Sequence, residues 1–255
     1  MKKKRLFKPF YGACAGIVFA LFSLSAHAIP VSLELALLVD VSGSVDNTEY
    51  NLQKTGYVNA FQDAGIQSSI AGLTNGIAVS YIEWSTSSSQ AKLVDWTHIT
   101  DASSANAFAN AISGTSRSSN GLTGVGAAIN FGTNEVLNNN FEGTRTVLDV
   151  SGDGSNNSGV AAATARNAAL AAGIDTINGL PIGSTSIYNY YRDNVIGGSN
   201  AFVIQAASFQ DFQDAVVTKI GREINPNPVP LPATLPLLGI GLAGLVAFRR
   251  KERRG

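Results

Sequence analysis

Three short segments of the chain concentrate oxygen ligands. The first is Asp40-x-Ser42-x-Ser44, where two hydroxyls two residues apart in a turn can point at one spot, with the Asp40 charge beneath them. The second is Thr123, in Thr123-Gly124-Val125-Gly126. The third is Asp153-Gly154. Together they offer three hydroxyls and two carboxylates, which suits a hard cation. Mg²⁺ takes about six oxygens in an octahedral array at roughly 2.0–2.1 Å and usually keeps several waters. Mostly neutral ligands leave such an ion electrophilic, and a carboxylate from another molecule can replace one of its waters. Mg²⁺ is the first expectation, with Mn²⁺ or Ca²⁺ as alternatives. Each segment alone is ordinary turn chemistry, since Ser, Asp and Gly favour turns and caps. Thr123 is the member with substitutes: Ser118, Ser119 or Thr115 could serve if the loop runs differently. Asp149-x-Ser151-x-Asp153-Gly154 also mimics the start of an EF-hand loop, but the twelfth position is Val160, not the Glu that loop needs.

The elements around these segments explain how they could meet. Residues 33–39 are a nearly continuous apolar run ending at Asp40, as expected for a strand buried on both faces of a parallel sheet. Asp46 or Asn47 can cap the following helix, on which Tyr50, Tyr57, Val58, Phe61 and Ala64 recur at helical spacing. Residues 77–84 and 91–99 read as strands. The connection between them is so short that they must pair antiparallel. Helices follow over 102–112 and 125–137, a strand over 144–150, and an Ala-rich helix over 160–172. Two more strands are expected at 176–182 and 201–206. A last helix, capped by Ser208, carries Phe212, Ala215, Val216 and Ile220 on one face. This alternation predicts an α/β fold: a doubly wound, mainly parallel central sheet with one antiparallel edge strand. Ligands of such folds bind at the carboxyl ends of the strands, where two of the three segments lie; Thr123 stands just before a helix.

In content and chain order, D-x-S-x-S, a separate Thr and a later Asp-Gly resemble the metal-ion-dependent adhesion site of von Willebrand factor A domains. The resemblance covers roughly residues 31–224 and is nearest to a bacterial subgroup with Ser-Gly-Asp-Gly at the third segment. It implies that Ser42, Ser44 and Thr123 bind the metal directly, and that Asp40 and Asp153 act directly or through water. It also implies that the sixth position takes an acidic residue of a protein or polysaccharide partner.

Composition excludes several other chemistries. The single Cys, Cys14, and one of two His, His27, lie in the N-terminal segment, which leaves only His98 for the rest. A Cys/His zinc site and a Cys nucleophile are therefore out for the middle of the chain. Ten of the 18 basic residues and one of the 18 acidic ones fall in residues 1–28 and 249–255. The middle thus holds eight basic against 17 acidic residues, a net of −9. An acidic domain makes a poor nucleic-acid binder.

The two ends read as addresses. Residues 1–28 have a basic start, an apolar stretch and Ala26-His27-Ala28, the pattern of a secretory signal peptide cleaved after Ala28. The domain is then expected over 29–224 and a Pro-rich linker over 225–230. Residues 231–255 hold an apolar, membrane-spanning stretch with a basic tail, barely long enough to cross a bilayer. Within the stretch, Gly239-Ile240-Gly241-Leu242-Ala243-Gly244 copies a dinucleotide fingerprint outside the strand-turn-helix context that motif requires. From Val229-Pro230-Leu231-Pro232-Ala233 to Arg254 the tail resembles the PEP-CTERM sorting signals in their VPLPA variant. That resemblance implies an exosortase-type membrane enzyme as a partner, cleavage near the Pro-rich motif, and a Gram-negative surface or extracellular matrix as destination. A plain C-terminal membrane anchor is the alternative.

Residues 184–200 should lie on the same rim as the three segments. Tyr188, Tyr190, Tyr191 and Arg192 there are candidate partner contacts, since Tyr and Arg favour recognition surfaces, or else belong to a plain loop. The sequence thus points to an exported, non-enzymatic binding module that uses a divalent ion to hold an acidic group. Two other readings share the same residues: a metal-assisted hydrolase of matrix polymer, and a structural matrix protein whose metal stabilises the rim.

Overall fold

The computed structural model describes residues 28–226. The expected signal peptide, up to residue 27, and the expected sorting and membrane segment from residue 227 onward lie outside the described residues. No helix among the described residues is long and apolar enough to cross a membrane.

The central sheet is built on β2 (Leu33–Asp40), every residue of which is buried. Side chains alternate across a strand, so Leu35, Leu37 and Val39 join one core while Ala36 and Leu38 join the other. β2 lies between two parallel neighbours, β3 (Ile77–Trp84) and β6 (Thr146–Gly152), and β7 (Thr176–Pro181) continues the parallel run beyond β6. β4 (Gln90–Ile99) closes one edge antiparallel to β3. Helices α1 (Asn47–Gln62), α2 (Ala64–Ala71), α3 (Ala102–Ser113) and α7 (Phe212–Ile224) cover one face. Helices α4 (Val125–Leu137) and α5 (Ala162–Ala171) cover the other. A small separate pair, β1 (Ile29–Val31) with β5 (Phe141–Gly143), is parallel.

Four features differ from the sequence expectation. The first helix breaks at Asp63, whose carboxylate accepts from the N–H groups of Gly65 and Ile66 and starts α2. The segment 184–200 is largely helical: α6 (Thr185–Tyr190) runs into a π turn at Tyr191–Val195. The sheet has a second antiparallel edge strand, β8 (Gly197–Gly198), against β7. Two glycines carry no hydrophobic alternation, so no pattern announced it. The strand expected at 201–206 is reduced to two bridges, Val203 with Gly179 and Ala206 with Ile182. Ile204 N–H donates to the Gly179 carbonyl and Ala206 N–H to that of Pro181. Pro181 has no N–H to return, so the ladder is interrupted in its middle.

Candidate functional site

The loops after β2 and β6 leave the sheet side by side because the two strands are parallel neighbours. Asp46 fixes the far end of the first loop. Its carboxylate accepts from Thr48 and Glu49 N–H, and Glu49 reaches back to the Asp46 N–H, forming a capping box that starts α1. Within the loop, the Ser42 N–H donates to Asp40 Oδ1 at 2.7 Å, and the Ser42 and Ser44 hydroxyls lie 3.3 Å apart. Ser44 Oγ donates to Asp153 Oδ1 at 2.7 Å. The loop before α4 is clipped on from the side: Gly43 N–H donates to the Gly121 carbonyl at 2.7 Å. Thr123 is nearly buried, and a Cβ placed at Gly154 would lie 3.2 Å from its Oγ1. The structure therefore brings Asp40, Ser42, Ser44 and Asp153 into one cluster and sets Thr123 against the Asp153-Gly154 turn.

Two of the substitutes for Thr123 have their hydroxyls engaged elsewhere: Thr115 Oγ1 donates to the Ile112 carbonyl, and Ser119 pairs its hydroxyl with that of Ser85. The Ser118 backbone N–H donates to the buried Glu83 carboxylate.

Asp40 has no solvent exposure, and burial, with the Asp153 charge nearby, pushes its carboxyl up to about 7. Its second oxygen, Oδ2, is buried and has no hydrogen-bond partner. Leaving such a group unmatched costs free energy. Gly152 is the reason there is room beside it: a Cβ there would lie 2.6 Å from both Asp40 Oδ2 and the Tyr191 hydroxyl. An unmatched buried carboxylate oxygen, a glycine that keeps space beside it and an all-oxygen set of side chains fit a hard divalent cation. No group of three or more His, Cys, Asp and Glu that could hold a metal occurs among the described residues; this cluster mixes hydroxyls with two carboxylates. The one described histidine, His98, pairs with Ala78 at the other end of β3 and contacts the Asn75 carbonyl, away from the rim.

Arg117 carries a role the sequence did not signal. One of its terminal nitrogens donates to the carbonyls of Val41, Ser42 and Val45 at 2.8–2.9 Å, and Nε donates to Ser119 O. A single guanidinium thus ties the loop after β2 to the loop before α4. A lone Arg in a polar loop carries no periodicity or motif that would have singled it out.

The four candidate contact residues at 188–192 divide. Tyr191 is fully buried, its hydroxyl beside Gly152 and without a partner, so it belongs to the core and not to the partner-facing surface where it was expected. It stands where α6 meets the π turn, with the Tyr190 ring edge-on against it. Tyr188 and Tyr190 are half-buried. Arg192 is exposed and forms a two-pronged pair with the adjacent Asp193.

A doubly covered, mainly parallel sheet of this topology is a von Willebrand A-like fold. Solved structures agree with this class. Proximal thread matrix protein 1 from the mussel byssus, in a form with a zinc-occupied MIDAS motif, is 17% identical with a TM-score of 0.55, over 77% of this chain and 46% of that one. The pilus adhesin SpaC from Lactobacillus rhamnosus GG gives 16% and 0.54 over 76% and 31%. A von Willebrand factor type A protein from Catenulispora acidiphila gives 14% and 0.52 over 76% and 42%. The chain thus spans less than half the length of these proteins, and at such identities the likeness is one of fold. The chain belongs to the family described as protein of unknown function DUF1194, whose model matches residues 30–228. The PEP-CTERM protein-sorting motif matches residues 228–251, a class of signal recognised by exosortases and associated with export. No curated protein matches the chain.

Proposed function

We propose that this protein is an exported, surface- or matrix-associated binding module that holds one divalent ion, Mg²⁺ first and Mn²⁺ or Ca²⁺ next, and through it grips an acidic group on a protein or polysaccharide. The observation that carries the reading is the meeting of Ser42, Ser44 and Asp153 above Asp40, whose Oδ2 is buried and unmatched. Ser42, Ser44 and Thr123 would hold the ion, and Asp40 and Asp153 would balance its charge directly or through water. When bound, the ion supplies a Lewis-acidic position for a partner's carboxylate. The protein's own residues do the rest. Asp40 fixes the Ser42 backbone, Arg117 holds the loop in place, and Gly152 keeps the space beside Asp40 open. The sorting motif supports handling by an exosortase-type enzyme, with the C-terminal segment as a membrane anchor before processing and the outer surface or matrix as the destination. The half-buried Tyr188 and Tyr190 and the exposed Arg192 would border the partner.

The test is retention of the protein on a panel of immobilised carboxylate-bearing peptides and polysaccharides, with Mg²⁺ and with EDTA. Metal-dependent retention without turnover supports the reading. Metal-dependent cleavage of a polymer would replace it with the hydrolase, and retention indifferent to EDTA would leave the ion a purely structural role.

A further inference from the structure

A second site lies at the opposite end of the sheet. A cavity of about 400 Å³ opens where β6 and β7 begin and α7 ends. That volume is within the range of small-molecule pockets. β6 has seven residues, so its two ends put roughly 20 Å between this cavity and the Asp153 rim.

Two arginines line it, and neither has a carboxylate within 4.0 Å among the described residues. Arg222 is exposed and lays its guanidinium over the Phe202 ring, 4.0 Å from the centroid, which fixes its plane while its N–H groups make no hydrogen bond among the described residues. Arg145 is half-buried and donates only to the Glu223 backbone carbonyl. Burial holds its guanidinium below the usual value, and the Glu223 and Asp175 charges offset only part of that effect. A planar fork of N–H donors matches a carboxylate two-pronged.

The remaining polar groups describe the rest of a ligand. Asn200 lines the cavity with a side chain not otherwise hydrogen-bonded. It is the one non-glycine among the described residues with a left-handed backbone, φ 55°. Its amide suits a hydroxyl. Glu223 is already paired with Lys219 at 2.6 Å, which leaves Asp175 to offset the two arginines, so a single negative charge fits better than the double charge of a phosphate.

We propose that this cavity binds a hydroxylated monocarboxylate of the kind a sugar acid presents, with its carboxylate on Arg222 and Arg145 and a hydroxyl on Asn200. The same chemistry could arrive as a free sugar acid or as the end of an acidic polysaccharide.

The experiment titrates the full chain, in EDTA, with D-glucuronate, a glucuronate oligosaccharide, D-glucose and inorganic phosphate. The expected result is saturable binding of glucuronate, at least tenfold weaker binding of glucose, and no displacement by phosphate. Oligosaccharide binding with the same dependence on Arg222 identifies a chain end as the natural source, and binding of the monosaccharide alone identifies a free sugar acid. Arg222→Gln should lower affinity at least tenfold with little change in melting temperature, because the side chain is exposed. Ser44→Ala should leave the affinity unchanged, which separates this site from the metal rim. Absence of saturable binding, equal binding of glucose, displacement by phosphate, or full affinity in Arg222→Gln would each overturn the proposal.

Discussion

The Ser44 hydroxyl donates to Asp153 Oδ1 at 2.7 Å across 109 residues of chain, and this one bond joins the loops that follow two neighbouring parallel strands. Ser44 is exposed and makes no core contact. Ser44→Ala should therefore change the stability of the metal-free protein by no more than about 1 kcal/mol. It should weaken Mg²⁺ binding by tenfold or more. Thermal melts with and without Mg²⁺ separate the two effects. An equal loss in both conditions would make Ser44 a structural residue only.

Gly152 should tolerate no side chain. A methyl group there would stand 2.6 Å from both Asp40 Oδ2 and the Tyr191 hydroxyl, and both are fully buried. Gly152→Ala should cost about 1–3 kcal/mol, as overpacking does. In Tyr191→Phe, which removes one of the two obstructing atoms, the same substitution should cost less. Denaturant titrations of the single and double variants measure this coupling.

Tyr191→Phe alone should be neutral or mildly stabilising, because the hydroxyl it deletes is buried without a partner. Tyr191→Ala should cost about 3–5 kcal/mol through the cavity it leaves. A Phe variant as unstable as the Ala variant would mean that the hydroxyl is matched in solution.

Arg117→Lys should not rescue Arg117→Ala. The guanidinium donates to three carbonyls of the first loop and to Ser119 O, a spread an ammonium cannot reproduce. Both variants should bind Mg²⁺ more weakly while retaining the far-ultraviolet circular dichroism of the parent. Wild-type affinity in the Lys variant would show that charge alone suffices.

Glu223 sets a pH dependence away from the rim. It is buried with Asp149 and Lys219, which meets each carboxylate at 2.6 Å. Burial, together with the Asp149 charge, raises the Glu223 carboxyl to about 7 from the ordinary 4.5. The folded state thus holds a proton that the unfolded state has released. The stability this contributes is complete below about 4.5 and is lost as pH rises through about 7. Glu223→Gln should flatten the stability profile over that window. An unchanged slope in melts from pH 4.5 to 8 would assign the dependence to other groups.

Much of this was legible in the sequence, for reasons visible in particular residues. The run before Asp40 is apolar on both faces because β2 is covered on both, and α4 falls at the expected 125–137. Asp40, Ser42, Ser44 and Asp153 were readable because each lies next to a strand end that a parallel sheet brings to one side. The misses share a cause. The break at Asp63, the two-residue β8 and the interruption at Pro181 depend on single hydrogen bonds or single residues, which periodicity over a window averages away. Tyr191 was misplaced because its segment reads as a loop, whereas it is helical and turns this one tyrosine toward Gly152. Arg117 was invisible because its partners are backbone carbonyls, which leave no trace in side-chain patterns.

The most direct measurement is calorimetric titration of the purified protein with Mg²⁺, Mn²⁺ and Ca²⁺, alongside Asp153→Ala. One saturable site in the parent, lost in the variant and matched by a rise in melting temperature on adding metal, is the predicted result. No binding heat in either protein, together with a melting temperature indifferent to all three ions, would contradict the metal-centred reading.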